Sequence, residues 1–177
     1  MNAPWSDELT QALLEFDGKS TGALERFAAA HQPGARLIAA LCDFAAGEDR
    51  NVQAASTWLL KRYRVAGADL SPGRAEALLR LLLQETSWLT RLHILQMMDT
   101  FVVPSPLAAP LIDALASQAG GAKPFIRAWS AHGAAALADQ HPAYRDRVLD
   151  LLAQAEQDGA PSVRARLRRT RLAFDWL

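Results

Sequence analysis

The chain has one cysteine, Cys42, among its 177 residues, and it has no net charge because 19 basic residues balance 19 acidic ones. One cysteine cannot form an internal disulfide. Without net charge, only local patches can attract nucleic acid or an anionic membrane surface. Charged residues interrupt every apolar run well before the roughly 20 residues that span a bilayer. Nothing near the start resembles a secretory leader. We expect a soluble cytoplasmic protein without a membrane partner.

β-Branched residues are sparse, and no segment alternates apolar and polar residues as a half-buried strand does. Alanine, leucine and arginine dominate instead, and all three favour helices. Half of the residues are apolar, which is enough for the core of one domain. We therefore predict a single all-α domain of ten helices, near residues 5–16, 21–31, 35–46, 50–65, 74–85, 88–103, 107–119, 124–139, 143–157 and 162–175.

From residue 35 onward, the sequence repeats every 37 positions. Apolar residues recur near the start of the second helix of each predicted pair, at Val52, Leu89, Ile126 and Val163. Four leucines recur in the first helices, at Leu41, Leu78, Leu115 and Leu152. We predict four helix pairs over residues 35–177. Residues 1–34 do not fit this register, and we predict that they form an irregular N-terminal pair that caps the repeats.

Prolines agree with this period because they stand where helices are expected to begin, and there the missing N–H costs little. These positions are Pro72, Pro106, Pro124, Pro142 and Pro161. Pro110 is the exception, since it would fall beyond the first turn of a helix that starts near Ser105. We expect that helix to begin later or to open with a distorted turn.

Residues 158–167, DGAPSVRARL, resemble the HEAT repeat, in which an aspartate and a proline between the helices precede a Val-Arg pair. The segment KPFIRA at 123–128 keeps the proline and the apolar-Arg pair, with Gly121 in the aspartate position. The period is slightly below the roughly 40–47 residues typical of this family. The resemblance implies a right-handed α-solenoid of HEAT-like helix pairs, a fold used by scaffolds, transport receptors, regulatory subunits and some enzymes.

Arginines are the most conspicuous charged residues. Five of them, and no acid, occupy residues 161–171. On a helix, spacings of four and three residues place Arg164, Arg168 and Arg171 on one side. Second helices of earlier pairs carry Arg62, Arg91 and Arg127. We predict that these six residues form a partly basic inner surface that binds a partner. The competing interpretation is that Arg164 forms hydrogen bonds between repeats and that the others are simply solvated.

Some HEAT-like proteins remove alkylated bases from DNA, using an aspartate about one helical turn after a tryptophan. The predicted second helices carry Trp58, Trp88 and Trp129, but the residues four positions later are Arg62, Leu92 and Gly133. The carboxylate is therefore absent from each expected position. Asp99 and Asp139 stand near the ends of second helices and could approach the same surface. We expect all three tryptophans to pack in or near the core.

Other residues with chemical potential have structural interpretations. HEAT-like hydroxylases bind di-iron through His-Glu pairs, but no histidine here is followed by glutamate, so we expect no metal and no other cofactor. His93 and His132 are typical of buried histidines that form hydrogen bonds. Cys42 falls in a small core position of the repeat. We expect the apolar C-terminal end around Trp176 to pack on the last repeat or to mediate a homodimer.

These patterns favour a non-catalytic protein-binding or adaptor scaffold, in which second helices present an inner surface to a segment of a partner protein. The alternative function is nucleic-acid binding, with or without the base-excision chemistry of the HEAT-like alkylated-DNA glycosylases.

Overall fold

The computed structural model describes residues 3–177, which contain ten α-helices and no strand. The helices are α1 (Ser6–Leu14), α2 (Gly22–Ala30), α3 (Ala35–Ala45), α4 (Arg50–Val65), α5 (Pro72–Leu81), α6 (Trp88–Leu95), α7 (Ser105–Ala119), α8 (Pro124–Gln140), α9 (Arg145–Glu156) and α10 (Pro161–Ala173). Short 3-10 turns at Met98–Thr100 and Pro142–Tyr144 follow α6 and precede α9. The predicted all-α fold of ten helices is confirmed for this part of the chain. The predicted N-terminal pair also included Met1 and Asn2, which lie outside the described residues.

Two helices end earlier than the sequence predicted. The helix expected to reach residue 103 ends at Leu95, because the backbone then tightens into bonds between residues three apart, such as Met97 N to Ile94 O at 3.0 Å. Likewise, α5 ends at Leu81 rather than near residue 85, and the N–H of Leu82 donates to Leu79. The helix periodicity alone did not distinguish these tighter turns from a continuing α-helix.

For the helix that contains Pro110, the expected later start was wrong, whereas its first turn does contain a bond between residues three apart, Leu107 N to Pro104 O at 2.8 Å. The helix α7 begins at Ser105 and continues through Pro110. Proline cannot donate to the carbonyl four residues earlier, which belongs to Pro106. Both prolines are exposed, so water can hydrogen-bond to that carbonyl and the interruption costs less than it would inside the core.

Contacts between helices follow the order of the pairs. The second helices contact one another in sequence, α4 with α6, α6 with α8, and α8 with α10. Among the first helices, α3 contacts α5 and α7 contacts α9. The four recurring leucines are at most 1% exposed at Leu41, Leu78, Leu115 and Leu152. The 37-residue period therefore identifies buried leucines that occupy the same position in each helix pair.

A recurring hydrogen bond also follows the 37-residue period. In each pair, a side chain in the first turn of the second helix donates to a carbonyl of the preceding loop. The accepting carbonyls belong to residues 47, 84, 121 and 158, which are 37 positions apart. The donors are Gln53, Arg91, Arg127 and Arg164. These bonds hold each loop against the helix that follows it.

The helix α8 lies at the centre of the molecule, in contact with α6, α7, α9 and α10. Residues 130–138 are all buried, whichever side of the helix they occupy. Small residues make this possible because neighbouring helices can approach closely. A methyl group placed on Gly133 would lie 2.8 Å from the sulfur of Met98, so this contact depends on glycine.

The N-terminal pair does not simply add one more layer. Both α1 and α2 contact α4, and Gly18 in the loop between them lies beside Leu89 at the start of α6. The Tyr63 hydroxyl donates to the carbonyl of His31 at 3.1 Å. This pair thus covers part of the second-helix layer, at α4 and at the start of α6.

Candidate binding surface

Two exposed aromatic side chains stand at equivalent positions of neighbouring helices. Trp88 begins α6 and Phe125 lies at the start of α8, 37 positions later, and they are 41% and 58% exposed. The Lys123 ammonium sits 4.7 Å from the centre of the Trp88 ring, a distance at which a cation and an aromatic face attract. We call these three residues the aromatic patch. The prediction that Trp88 packs in or near the core was wrong, because the first residue of α6 projects beyond the buried stripe.

Trp58 and Trp129 are partly buried and pack against the core, as predicted. The Arg166 guanidinium carbon lies 3.6 Å from the centre of the Trp129 ring. Burial lowers the pKa of Arg166, yet an arginine remains charged. Arg166 occupies the column in which earlier repeats carry apolar residues, and its flat guanidinium covers the ring of Trp129 from the following pair.

His132 joins three parts of the structure. Its Nδ1 lies 3.0 Å from the Thr170 hydroxyl of α10, and its Nε2 lies 3.7 Å from a carboxylate oxygen of Asp99. The nearby His132 ring lowers the pKa of Asp99. The Thr170 side chain is fully buried and its hydroxyl is bonded to the Arg166 carbonyl. These contacts stabilise the packing of α10 and place no accessible nucleophile beside the histidine. The other aspartate considered from the sequence, Asp139, is exposed.

His93 is bonded in a similar way to Thr57, across α4 and α6, with its Nδ1 3.1 Å from the hydroxyl. Burial, together with the nearby Lys61 ammonium, lowers its pKa to about 3. The imidazole is therefore neutral at physiological pH. The prediction of buried, hydrogen-bonded histidines is confirmed for both His93 and His132.

The C-terminal residues fold back on the last helices. The ring of Phe174 lies 5.5 Å from that of His132, and the Arg145 guanidinium lies 5.2 Å from the ring of Trp176. Phe174, Trp176 and Leu177 all pack against the core while remaining partly exposed. The C-terminal end therefore packs on the last repeat, which was one of the two arrangements expected from the sequence; the other was a homodimer contact.

Four of the six predicted binding arginines take part in intramolecular contacts. Arg127 donates to both carboxylate oxygens of Asp158, at 2.6 and 2.9 Å, and this pairing lowers the pKa of Asp158 to about 2. Arg171 pairs with Glu156. Arg91 and Arg164 donate to the loop carbonyls described above. Arg164 therefore forms a structural hydrogen bond, but its acceptor Asp158 belongs to the loop of its own helix pair rather than to a neighbouring repeat, as the competing interpretation expected.

The remaining two arginines lie in different places. Arg62, near the end of α4, borders a groove shared with residues of α2. Arg168 is exposed on α10 and borders a second groove together with Arg164 and Arg171. The prediction that these three arginines share one side of their helix is confirmed. That all six form one continuous surface stays a prediction.

Cys42 is buried at 8% exposure, in the small core position predicted for it. Burial raises the pKa of its thiol to about 11. A thiol reacts as the thiolate, and each pKa unit changes the thiolate fraction tenfold. We expect a thiol reagent to modify Cys42 in the native protein about 100-fold more slowly than in the urea-unfolded protein. Equal rates at the same pH would contradict this burial.

In residues 3–177, no three histidine, cysteine, aspartate or glutamate side chains converge as a metal site would require. Nor does this part of the chain contain a helix of the length and apolar character needed to cross a membrane. Comparison with family models, curated proteins and solved structures found no match to this chain.

Proposed function

We propose that the protein is a non-catalytic binding scaffold whose helix pairs stack as a right-handed, HEAT-like α-solenoid. Three features support the stacked arrangement: the contacts that run from α4 through α6 and α8 to α10, the buried leucine column, and the loop carbonyls that accept side-chain hydrogen bonds every 37 residues. Repeats of this kind act through the side chains exposed on their surface rather than through the columns that hold them together.

The aromatic patch is the main support for a binding function. Large exposed aromatic residues are enriched where proteins bind one another, and they often supply most of the binding energy. Trp88 and Phe125 are exposed on adjacent helices, and Lys123 adds one positive charge beside them. A partner segment with apolar side chains and a nearby carboxylate would complement this surface.

The state of the arginines favours a protein partner over nucleic acid. Binding to nucleic acid depends on cations that are available to phosphate groups. Here Arg127 and Arg171 are paired with carboxylates, and Arg91 and Arg164 are bonded to backbone carbonyls. Two of the six predicted positive charges are therefore compensated by carboxylates within the fold, and two more have part of their hydrogen-bonding capacity occupied.

The double variant Trp88→Ala/Phe125→Ala tests this proposal. We expect it to lose the proteins that the wild type captures from a nuclease-treated lysate of its native cells, as measured by quantitative mass spectrometry. Truncating an aromatic residue that is a binding hot spot costs about 2 kcal/mol or more. Because neither side chain belongs to the buried core, the fold should be retained, and circular dichroism of the purified variant checks this.

Val65→Ala/Val102→Ala is the matched control. These two valines are also 37 positions apart and are 85% and 77% exposed. However, Val65 is the last residue of α4 and Val102 follows α6, so neither lies at the start of a second helix. The control should keep the wild-type partners. If the aromatic variant keeps the same partners as well, the aromatic patch is not the binding surface.

Nucleic-acid binding is the second candidate function, and the arginine-rich helix α10 is the feature that favours it. A protein that neutralised four phosphates would bind duplex DNA with a slope of about −3.6 for log affinity against log salt concentration. For the adaptor proposal, we expect no measurable binding to labelled intact or abasic duplexes or to single-stranded RNA, even at low salt. Binding with that slope, and tighter for the abasic duplex, would establish the alternative.

A further inference from the structure

The first and last helix pairs each contain an open groove between their two helices. In the N-terminal pair, a groove of about 260 Å³ between α1 and α2 is bordered by Glu8, Glu15 and Arg26; we call it the acidic groove. In the last pair, a groove of about 200 Å³ between α9 and α10 is bordered by Glu156, Leu167 and three arginines, Arg164, Arg168 and Arg171; we call it the basic groove.

The two grooves belong to the first and the last helix pair in the series of helix-to-helix contacts. The helices α1 and α2 pack on each other and on α4, whereas α10 packs on α8 and α9. When helix pairs stack, the groove of one pair receives side chains of the next pair. Among residues 3–177, no further helix pair covers either groove, so both grooves are open to solvent.

The two grooves carry opposite charge. The acidic groove has two carboxylates and one guanidinium, and the basic groove has three guanidinium groups and one carboxylate. Each end also bears an exposed leucine. Leu14, 68% exposed, shares a depression with Glu15, and Leu172, 88% exposed, directly follows Arg171 in the chain. A polar end would suffice to cap a repeat array, but opposite charges combined with exposed leucines also fit an interface.

We infer that copies of this chain associate end to end, with the basic groove of one copy against the acidic groove of the next. Because two different surfaces meet, the contact is heterologous and extends into open chains rather than closing as a symmetric dimer. This inference does not depend on the proposed adaptor function, because it concerns the purified protein alone and neither groove includes the aromatic patch.

Sedimentation velocity on the purified protein tests the inference directly. At low salt, we expect the weight-average sedimentation coefficient to rise continuously with protein concentration. At about 0.5 M salt, where charges are screened over a few ångströms, the association should weaken strongly. A protein that is monomeric at all concentrations in low salt, or whose association is insensitive to salt, would overturn the inference.

Charge reversals identify the two surfaces. Arg168→Glu in the basic groove and Glu15→Arg in the acidic groove should each weaken self-association about tenfold or more, because like charges would then face each other. Mixing the two variants should restore association, since Glu at 168 can then face Arg at 15. The exposed Arg36 of α3 supplies a control, Arg36→Glu, with the same charge change outside both grooves.

The mixing experiment distinguishes an interface from a general effect of charge or folding. Restored association in the mixture supports the groove-to-groove contact, because a misfolded variant could not be rescued in this way. Failure of the mixture to associate, or a loss of association in Arg36→Glu equal to that in Arg168→Glu, would overturn it.

Discussion

Acidification from pH 7 to pH 5 is expected to remove about 2 kcal/mol of stability through His93 alone. Its folded-state pKa is about 3 because it is buried, whereas an unfolded histidine titrates near 6.5. Below pH 6.5 the unfolded chain binds a proton that the native protein cannot, so the free energy of unfolding falls as pH decreases. The slope approaches about 1.4 kcal/mol per pH unit and persists until the pH reaches the folded-state pKa.

The variant His93→Gln isolates this contribution. Urea unfolding of the wild type and the variant between pH 7 and pH 5 gives two curves of stability against pH. His31, His132 and His141 are present in both proteins, so their effects largely cancel in the difference. We expect the wild type to be the more stable protein at pH 7, and its advantage to shrink by about 2 kcal/mol at pH 5. A difference that does not change with pH would show that His93 titrates normally.

Replacement of Gly133 by valine is expected to destabilise the protein by about 3 kcal/mol or more. A Cβ at this position would lie 2.8 Å from the Met98 sulfur and 3.5 Å from side-chain carbons of Leu95 and Leu115. All three neighbours are buried, so they cannot move into solvent. Overpacking of this kind costs about 1–3 kcal/mol for small insertions, and valine adds two further methyl groups beyond the Cβ.

Gly73→Val is the matched control for this substitution. Gly73 also lies in a helix, α5, but no atom approaches within 4 Å of its missing Cβ. We expect the stability of this variant to stay within about 0.5 kcal/mol of wild type. Chemical denaturation of both variants measures the difference. Equal stability of the two would mean that α8 is not packed as closely as described.

The sequence predicted the helices because their signals are local or periodic. The prolines at 72, 124 and 161 all fall in the first turn of a helix, and the leucine column is buried in every copy. Each of these signals depends on residues close together in the chain or on a fixed spacing. The ends of α5 and α6 were less predictable, because a 3-10 turn and an α-helix use similar residues.

The binding surface was harder to predict because it depends on contacts between distant residues. The arginine spacing could not show that Arg127 is paired with Asp158, 31 positions away. Trp88 was wrongly placed in or near the core, although the same register position is polar in two other copies, as Asn51 and Ser162. Polar residues at this register position indicate that it is exposed to solvent, and from this the exposure of Trp88 and Phe125 could have been predicted.

The most direct test of the account compares the aromatic patch with the arginines in one binding experiment. Three proteins are used to capture partners at physiological salt: the wild type, Trp88→Ala/Phe125→Ala, and Arg62→Ala/Arg168→Ala. The last variant removes the two of the six predicted binding arginines that lie outside the intramolecular contacts described above. If the aromatic patch is the binding surface, the arginine variant retains the partners of the wild type and the aromatic variant loses them. Loss with the arginine variant and retention with the aromatic variant would contradict it and favour a basic binding surface.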